Sequence, residues 1–209
     1  IGSIIGSWPV LPGKPIIAQV ESGFPTNPAS KSMNVLAELG YYRTFLYGGD
    51  SNFDNMKGFL IANNFDHVID QYHPMIAGIN EGTAWGNYDH IMLEHLINII
   101  DSQQDTSFMI TFFSTTNHDP FIIPNEYKNK FDKINTGKEN FQKAKKTMAY
   151  NDLILKEFFD KIKTKEWYKN TIFVITSDHG MIVNRDIPNH PRNGHIPLII
   201  YSHLLNNSR

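Results

Sequence analysis

The run Thr171-Ile-Phe-Val-Ile-Thr176, followed at once by Ser177-Asp178-His179-Gly180, constrains this chain more than any other stretch. A block of β-branched and aromatic residues with no polar alternation fits a strand buried on both faces of a parallel sheet. In open α/β sheets, ligands sit beyond the carboxyl ends of the strands. Asp178 and His179 are therefore expected at such an end. Adjacent residues inside a strand point to opposite faces, so sharing one ion requires both to lie in the loop that follows. A carboxylate and an imidazole are a usable ligand pair for Zn²⁺ or Mn²⁺, and Gly180 permits a tight backbone path around them. A plain polar loop is the alternative reading of the same dipeptide.

The pattern recurs along the chain. Apolar residues Met33, Val35, Leu36 and Leu39 share one helical face closed by Gly40, and Tyr41 to Tyr47 then reads as a strand ended by Gly48-Gly49-Asp50. A helix is expected to carry Phe53, Met56, Phe59 and Leu60, and Phe65 to Tyr72 reads as a weaker strand. Trp85 to Asp89 reads as the entry to a helix with Ile91, Leu93, Leu96, Ile97 and Ile100 on its apolar face. Ser107 to Thr115 is another continuous apolar strand; it runs into Thr116-Asn117-His118-Asp119-Pro120, where the proline bars further central pairing. Asn140 to Thr164 is the longest helix, with Ala144, Met148, Leu155, Phe158, Phe159 and Ile162 as its packing stripe. His195 to Tyr201 resumes strand character, and Pro197 puts it at an edge or a strand start. Alternating helices and strands define an α/β chain. Two strands that each deliver a histidine at a carboxyl end point to one converging site. His67, His73, His90 and His95 read as structural; the last two stand five apart on a helix, not at the i, i+4 spacing of a paired metal site.

Composition enters as a set of exclusions. The net charge of -2 gives no electrostatic footprint for nucleic acid or an anionic membrane surface. The chain has no cysteine, which excludes disulfides and thiolate metal sites and leaves His, Asp, Glu and hydroxyls as ligands. No run approaches the roughly 18 apolar residues of a membrane-spanning helix. A start at Ile1 instead of Met suggests a fragment or a processed piece.

Six segments in order carry a family resemblance: Tyr-Gly-Gly-Asp at 47–50, Ser-Asn-Phe-Asp-Asn-Met at 51–56, Trp85-Gly86, Thr-Asn-His-Asp-Pro-Phe at 116–121, the Asp-His-Gly strand end at 170–180, and His-Ile-Pro-Leu-Ile-Ile-Tyr at 195–201. Together they resemble the sulfatase family of the alkaline phosphatase superfamily, nearest its lipoteichoic acid synthase and phosphoglycerol transferase branch. The resemblance covers nearly the whole chain.

It implies one alkaline phosphatase-like catalytic domain over residues 1–209, a mainly parallel sheet with helices on both faces, lacking its N-terminal strand. It implies a metal-dependent phosphoglycerol transferase or phosphodiesterase on an envelope glycolipid or polymer. Such a domain faces outward from the bacterial cytoplasmic membrane, held by an anchor upstream of this chain. The metal it implies is Mn²⁺, with Mg²⁺, Ca²⁺ or Zn²⁺ as alternatives. Asp178 and His179 would be metal ligands, and His118 would bind or protonate the transferred group. Gly49, Asp50 and Asn55 would shape the substrate pocket, and His195 would contact substrate or support the site. The threonine nucleophile and a further acidic ligand fall before Ile1 in this alignment; Ser3 and Ser7 read as helix packing. The pocket segment lacks the His, Trp and Arg pattern of the Gram-positive synthases. A sulfate-ester hydrolase and a non-catalytic envelope-binding domain are the alternatives.

Overall fold

The computed structural model describes residues 35–103, 106–134, 139–177 and 196–205. Its internal contacts group the chain into two compact units, Ser32–Lys161 and Ile1–Lys31 with Ile162–Arg209.

In the first unit, strand β1 (Tyr42–Tyr47) is the centre of a three-stranded parallel sheet of order β2-β1-β5. Its neighbours are β2 (His67–Ile69) and β5 (Phe108–Phe113), paired as Phe45↔Val68 and Phe45↔Thr111. A strand flanked on both sides has no exposed edge, so Arg43 to Tyr47 are all buried and can be mostly apolar. Phe45, Tyr47, Phe65 and Phe113 cluster on one face, with centroids 5.2–6.4 Å apart. Arg43 fastens the start of the sheet: its backbone N donates to Asp66 Oδ2 at 2.7 Å and its Nε to the same oxygen at 3.1 Å.

Parallel strands require crossovers. From β1 the chain passes through a 3₁₀ turn (Phe53–Asn55) into helix α1 (Met56–Ala62), which buries Met56, Phe59 and Leu60, and so to β2. A two-residue hairpin follows, β3 (Gly82–Thr83) against β4 (Gly86–Asn87). Helix α2 (Asp89–Asp101) buries Met92, Leu93, Leu96, Ile97, Ile99 and Ile100, then leads to β5 on the far side of β1. Tyr42, Thr44, His67 and Ile69 line a cavity with Ile99 and Gln103 of α2 and its end. Its lining draws on the first half of β1 and both ends of β2, and includes none of Gly49, Asp50 or His118. After β5 come α3 (Asn125–Lys128) and the long α4 (Glu139–Ile162).

The stripe of α4 differs from expectation. Ala144, Thr147, Tyr150, Ile154 and Phe158 are buried, whereas Met148 is half exposed. The reason is Tyr150, a large ring whose hydroxyl has a partner inside: it accepts from His90 N at 3.2 Å. His90 is thereby structural, its Nδ1 2.8 Å from the same hydroxyl, and burial lowers its pKa.

In the second unit β6 (Ile172–Thr176) pairs antiparallel with β7 (Leu198–Ser202). This corrects the expectation of a strand buried on both faces of a parallel sheet. Exposure along β6 alternates, with Ile172 and Val174 outward. Apolarity alone fixes neither the direction nor the number of a strand's partners. Thr176 Oγ1 donates to the Pro197 carbonyl at 2.8 Å and Ser202 Oγ to the Thr171 carbonyl at 2.8 Å, closing both ends of the pair. Phe173 and Tyr201 pack across it, and the Tyr201 hydroxyl is hydrogen-bonded to that of Tyr168.

Candidate active site

Beyond the carboxyl ends of β1 and β5, the first unit gathers Gly49, Asp50, Trp85 and His118. Thr115 and Thr116 follow β5 closely and are buried; Asn117, His118 and Asp119 emerge to the surface. The turn is tied by His118 N to the Thr115 carbonyl at 3.1 Å and by Phe121 N to the His118 carbonyl at 2.8 Å. From α4, Thr147 Oγ1 donates to Asn117 Oδ1 at 2.6 Å.

The His118 ring is held on two sides. Its Nδ1 lies 2.8 Å from the Asp119 carbonyl oxygen. A carbonyl only accepts, so Nδ1 carries a proton and Nε2 remains as the position that takes or gives one. Trp85 packs against the ring with centroids 3.9 Å apart, and its Nε1 donates to the same Asp119 carbonyl at 2.8 Å. One oxygen thus accepts from both rings.

Trp85 in turn sits on the loop that ends β1. Tyr47 Oη donates to the Trp85 carbonyl at 3.1 Å; burial, then the charge of Asp50, pushes that phenol up to about 12, so it stays a donor. Gly49 belongs to this packing. A Cβ there would lie 2.2 Å from the Trp85 carbonyl oxygen. Gly86, at φ +140°, would place a Cβ 2.5 Å from Gly49 N. The two backbones touch because neither residue has a side chain.

Asp50 closes its own loop. Oδ1 accepts from Asn52 N at 2.8 Å and Asn52 Nδ2 at 2.9 Å, and Oδ2 from Tyr72 Oη at 3.3 Å. Beside it Ser51 Oγ donates to the buried Asp70. Asn55 is exposed, at φ +55°, and precedes α1. Phe53 stands edge-on to Trp85 at 5.8 Å. The structure therefore links Gly49 to Trp85 and Trp85 to His118 by direct contact and sets Asp50 in the adjoining loop, while Asn55 makes no hydrogen bond to any of them. Asp178, His179 and His195 lie outside the described residues. Among the described residues, no group of three or more His, Asp or Glu side chains is arranged to hold a metal ion. Trp85 stood in the sequence only as a motif residue; its position before a glycine was the one signal of its close packing. Tyr47 stood in the sequence only as a strand end in the 47–50 motif and Asp89 only as a helix-entry residue; neither signalled the long-range bonds it makes.

The fold is shared with several solved structures. The lipoteichoic acid synthase LtaP of Listeria monocytogenes superposes with a TM-score of 0.68 at 18% identity, over 80% of this chain and 45% of that one. An alkaline phosphatase superfamily protein of Vibrio parahaemolyticus gives 0.66 at 24% identity, over 96% and 47%. The phosphoglycerol transferase GacH of Streptococcus pyogenes, solved with sn-glycerol-1-phosphate, gives 0.57 at 18% identity, over 78% and 44%. In sequence the chain is 26% identical over 168 residues to phosphoglycerol transferase I of Salmonella typhi, covering 78% of this chain and 21% of that protein. It spans about a fifth of the length of such relatives. The family model described as Sulfatase matches residues 23–207. The chain belongs to the sulfatase family.

Proposed function

We propose that this chain is catalytic-domain sequence of a divalent-metal-dependent enzyme that transfers or hydrolyses phosphoglycerol on an envelope glycolipid or polymer. Its catalytic domain works on the outer side of the cytoplasmic membrane, and residues 1–209 belong to a single such domain. Family membership and relatives named as phosphoglycerol transferases support the class of reaction. The observation that carries the reading is His118: an imidazole at a strand's carboxyl end, exposed at Nε2 and oriented through Nδ1.

Transfer from a phosphodiester needs a proton for the departing alkoxide. The imidazolium form of His118, protonated on both nitrogens, gives it from Nε2 and is left as the neutral Nδ1–H tautomer, a contribution of about 10²–10⁴-fold for a positioned acid. Trp85 and the Asp119 carbonyl keep the ring from rotating, so the proton is offered in one direction. Gly49, Asp50 and Asn55 would shape the pocket for the glycerol or sugar end of the substrate. Asp178 and His179 would hold the ion, and His195 would contact the substrate or support the ion. One carboxylate and one imidazole match the donor preference of Mn²⁺ or Zn²⁺. When bound, the ion supplies charge neutralisation at the phosphate and lowers the pKa of the attacking hydroxyl.

The test is Mn²⁺-dependent cleavage of a phosphoglycerol diester by the full-length gene product, with Asp178→Ala and His118→Gln beside it. Activity lost in both variants and on chelation supports the reading. Full activity in Asp178→Ala overturns the metal assignment. Turnover of an aryl sulfate but not of the diester moves the assignment to a sulfate-ester hydrolase, and no turnover of either to a binding domain.

A further inference from the structure

Asp89 is the first residue of α2, is 2% exposed and faces no cation among the described residues. Burying a carboxylate without a counter-ion is costly, and an exposed Ser, Asn or Asp caps a helix at less cost. The position does something a cap does not. Asp89 Oδ1 accepts from Thr115 N at 2.8 Å and Oδ2 from Thr116 N at 3.1 Å. Asp89 N donates back to Thr116 Oγ1 at 3.0 Å, and Thr115 Oγ1 donates to the Asn87 carbonyl at 3.2 Å. The carboxylate thus grips two successive backbone amides just past β5, two and three residues before His118.

We propose that Asp89 is a positioning residue for His118: its two-oxygen grip sets the direction in which the chain leaves β5. This rests on the reading of His118 as the proton donor. A carboxylate suits the task because both its oxygens only accept, whereas an amide in the same place would turn a donor toward one of the two N–H groups. The grip extends directly to the histidine, since His118 N bonds to the carbonyl of the gripped Thr115. Asn87 and Asp89 flank Tyr88 on the chain that carries Trp85, so ring and turn are set by one short segment. The positive end of α2 and the two amides favour the ionised form, against burial that disfavours it.

The test reads the histidine itself, by ¹H–¹⁵N spectra of the 209-residue chain. In the unaltered chain His118 is expected in the Nδ1–H tautomer, with the Thr115 and Thr116 amide protons far downfield from their bonds to a carboxylate. Asp89→Asn is expected to move those amides upfield and shift His118 toward the Nε2–H tautomer, the rest of the spectrum remaining dispersed. Should Asp89→Asn not fold, Thr116→Val removes the hydroxyl that takes the return bond and also reaches the Asp89 carboxylate and Tyr150, leaves both backbone amides in place, and is expected to produce a smaller shift in the same direction. An unchanged His118 tautomer in either folded variant overturns the proposal and leaves Asp89 a helix cap. None of these readouts uses turnover. A normal rate in His118→Gln would sink the catalytic reading while the tautomer measurement still judged the grip.

Discussion

His118 and Trp85 share a single acceptor, the Asp119 carbonyl, and this makes their roles separable by substitution. His118→Gln keeps a polar side chain of similar reach but cannot deliver a proton. In the full-length enzyme it is expected to lower kcat by about 10²–10⁴-fold with KM little changed. Trp85→Phe keeps a smaller ring to pack on the imidazole and deletes the Nε1–H donor. The loss of one hydrogen bond corresponds to a kcat lower by only about 2- to 10-fold. Steady-state kinetics on both variants checks the ordering. Equal losses would mean that Trp85 is needed for more than orientation.

At the scale of elements, the close approach of β4 to the end of β1 depends on glycine. Gly86→Ala puts a methyl group 2.5 Å from Gly49 N at a φ of +140° that alanine rarely adopts. Strain and clash together are expected to cost at least about 2 kcal/mol of stability. Gly40→Ala is the control: φ is +80° there but nothing lies within 4 Å, so strain alone should cost about 1 kcal/mol. Urea unfolding of both variants gives the comparison. The same contrast marks what the sequence reveals. Strands β1 and β5 and helices α2 and α4 were legible because an apolar run or stripe is a local property. So was the placing of His118 at a strand end, since Pro120 must halt the strand. The β3-β4 hairpin has two residues per strand and no periodicity to read. The antiparallel partner of β6 was hidden because a partner's direction is not encoded within the strand. Asp89 looked like an ordinary helix-start acid; its partners lie 26 and 27 residues away.

For the whole molecule, the buried Asp89 predicts a pH dependence of folding opposite to that of most carboxylates. Burial raises its pKa from 3.8 to about 6, against the opposing bonds from Thr115 and Thr116. The native state therefore holds this proton more tightly than the unfolded chain does. The stabilisation is complete below 3.8 and is lost as pH rises through about 6, to an extent of at most about 3 kcal/mol. Two titratable groups lie beside the carboxylate: Tyr150 from α4, whose phenol is raised by burial and also by Asp89, and His90, the next residue, whose imidazole is lowered by burial. Asp66 acts in the other sense. Burial would raise it, but the Arg43 bonds outweigh that and hold it below its ordinary value, so its contribution is present above that value and lost in acid. The two trends overlap in wild type, and the difference between wild type and Asp89→Asn isolates one of them. Between pH 4 and 7, wild type should lose stability relative to the variant as pH rises, in chemical denaturation at matched ionic strength. A difference that is flat with pH would mean that Asp89 titrates alike in both states and that its burial is relieved in solution. A falling one would mean that the fold tolerates an ionised, buried Asp89 at neutral pH, where both of its oxygens are free to hold the turn that carries His118.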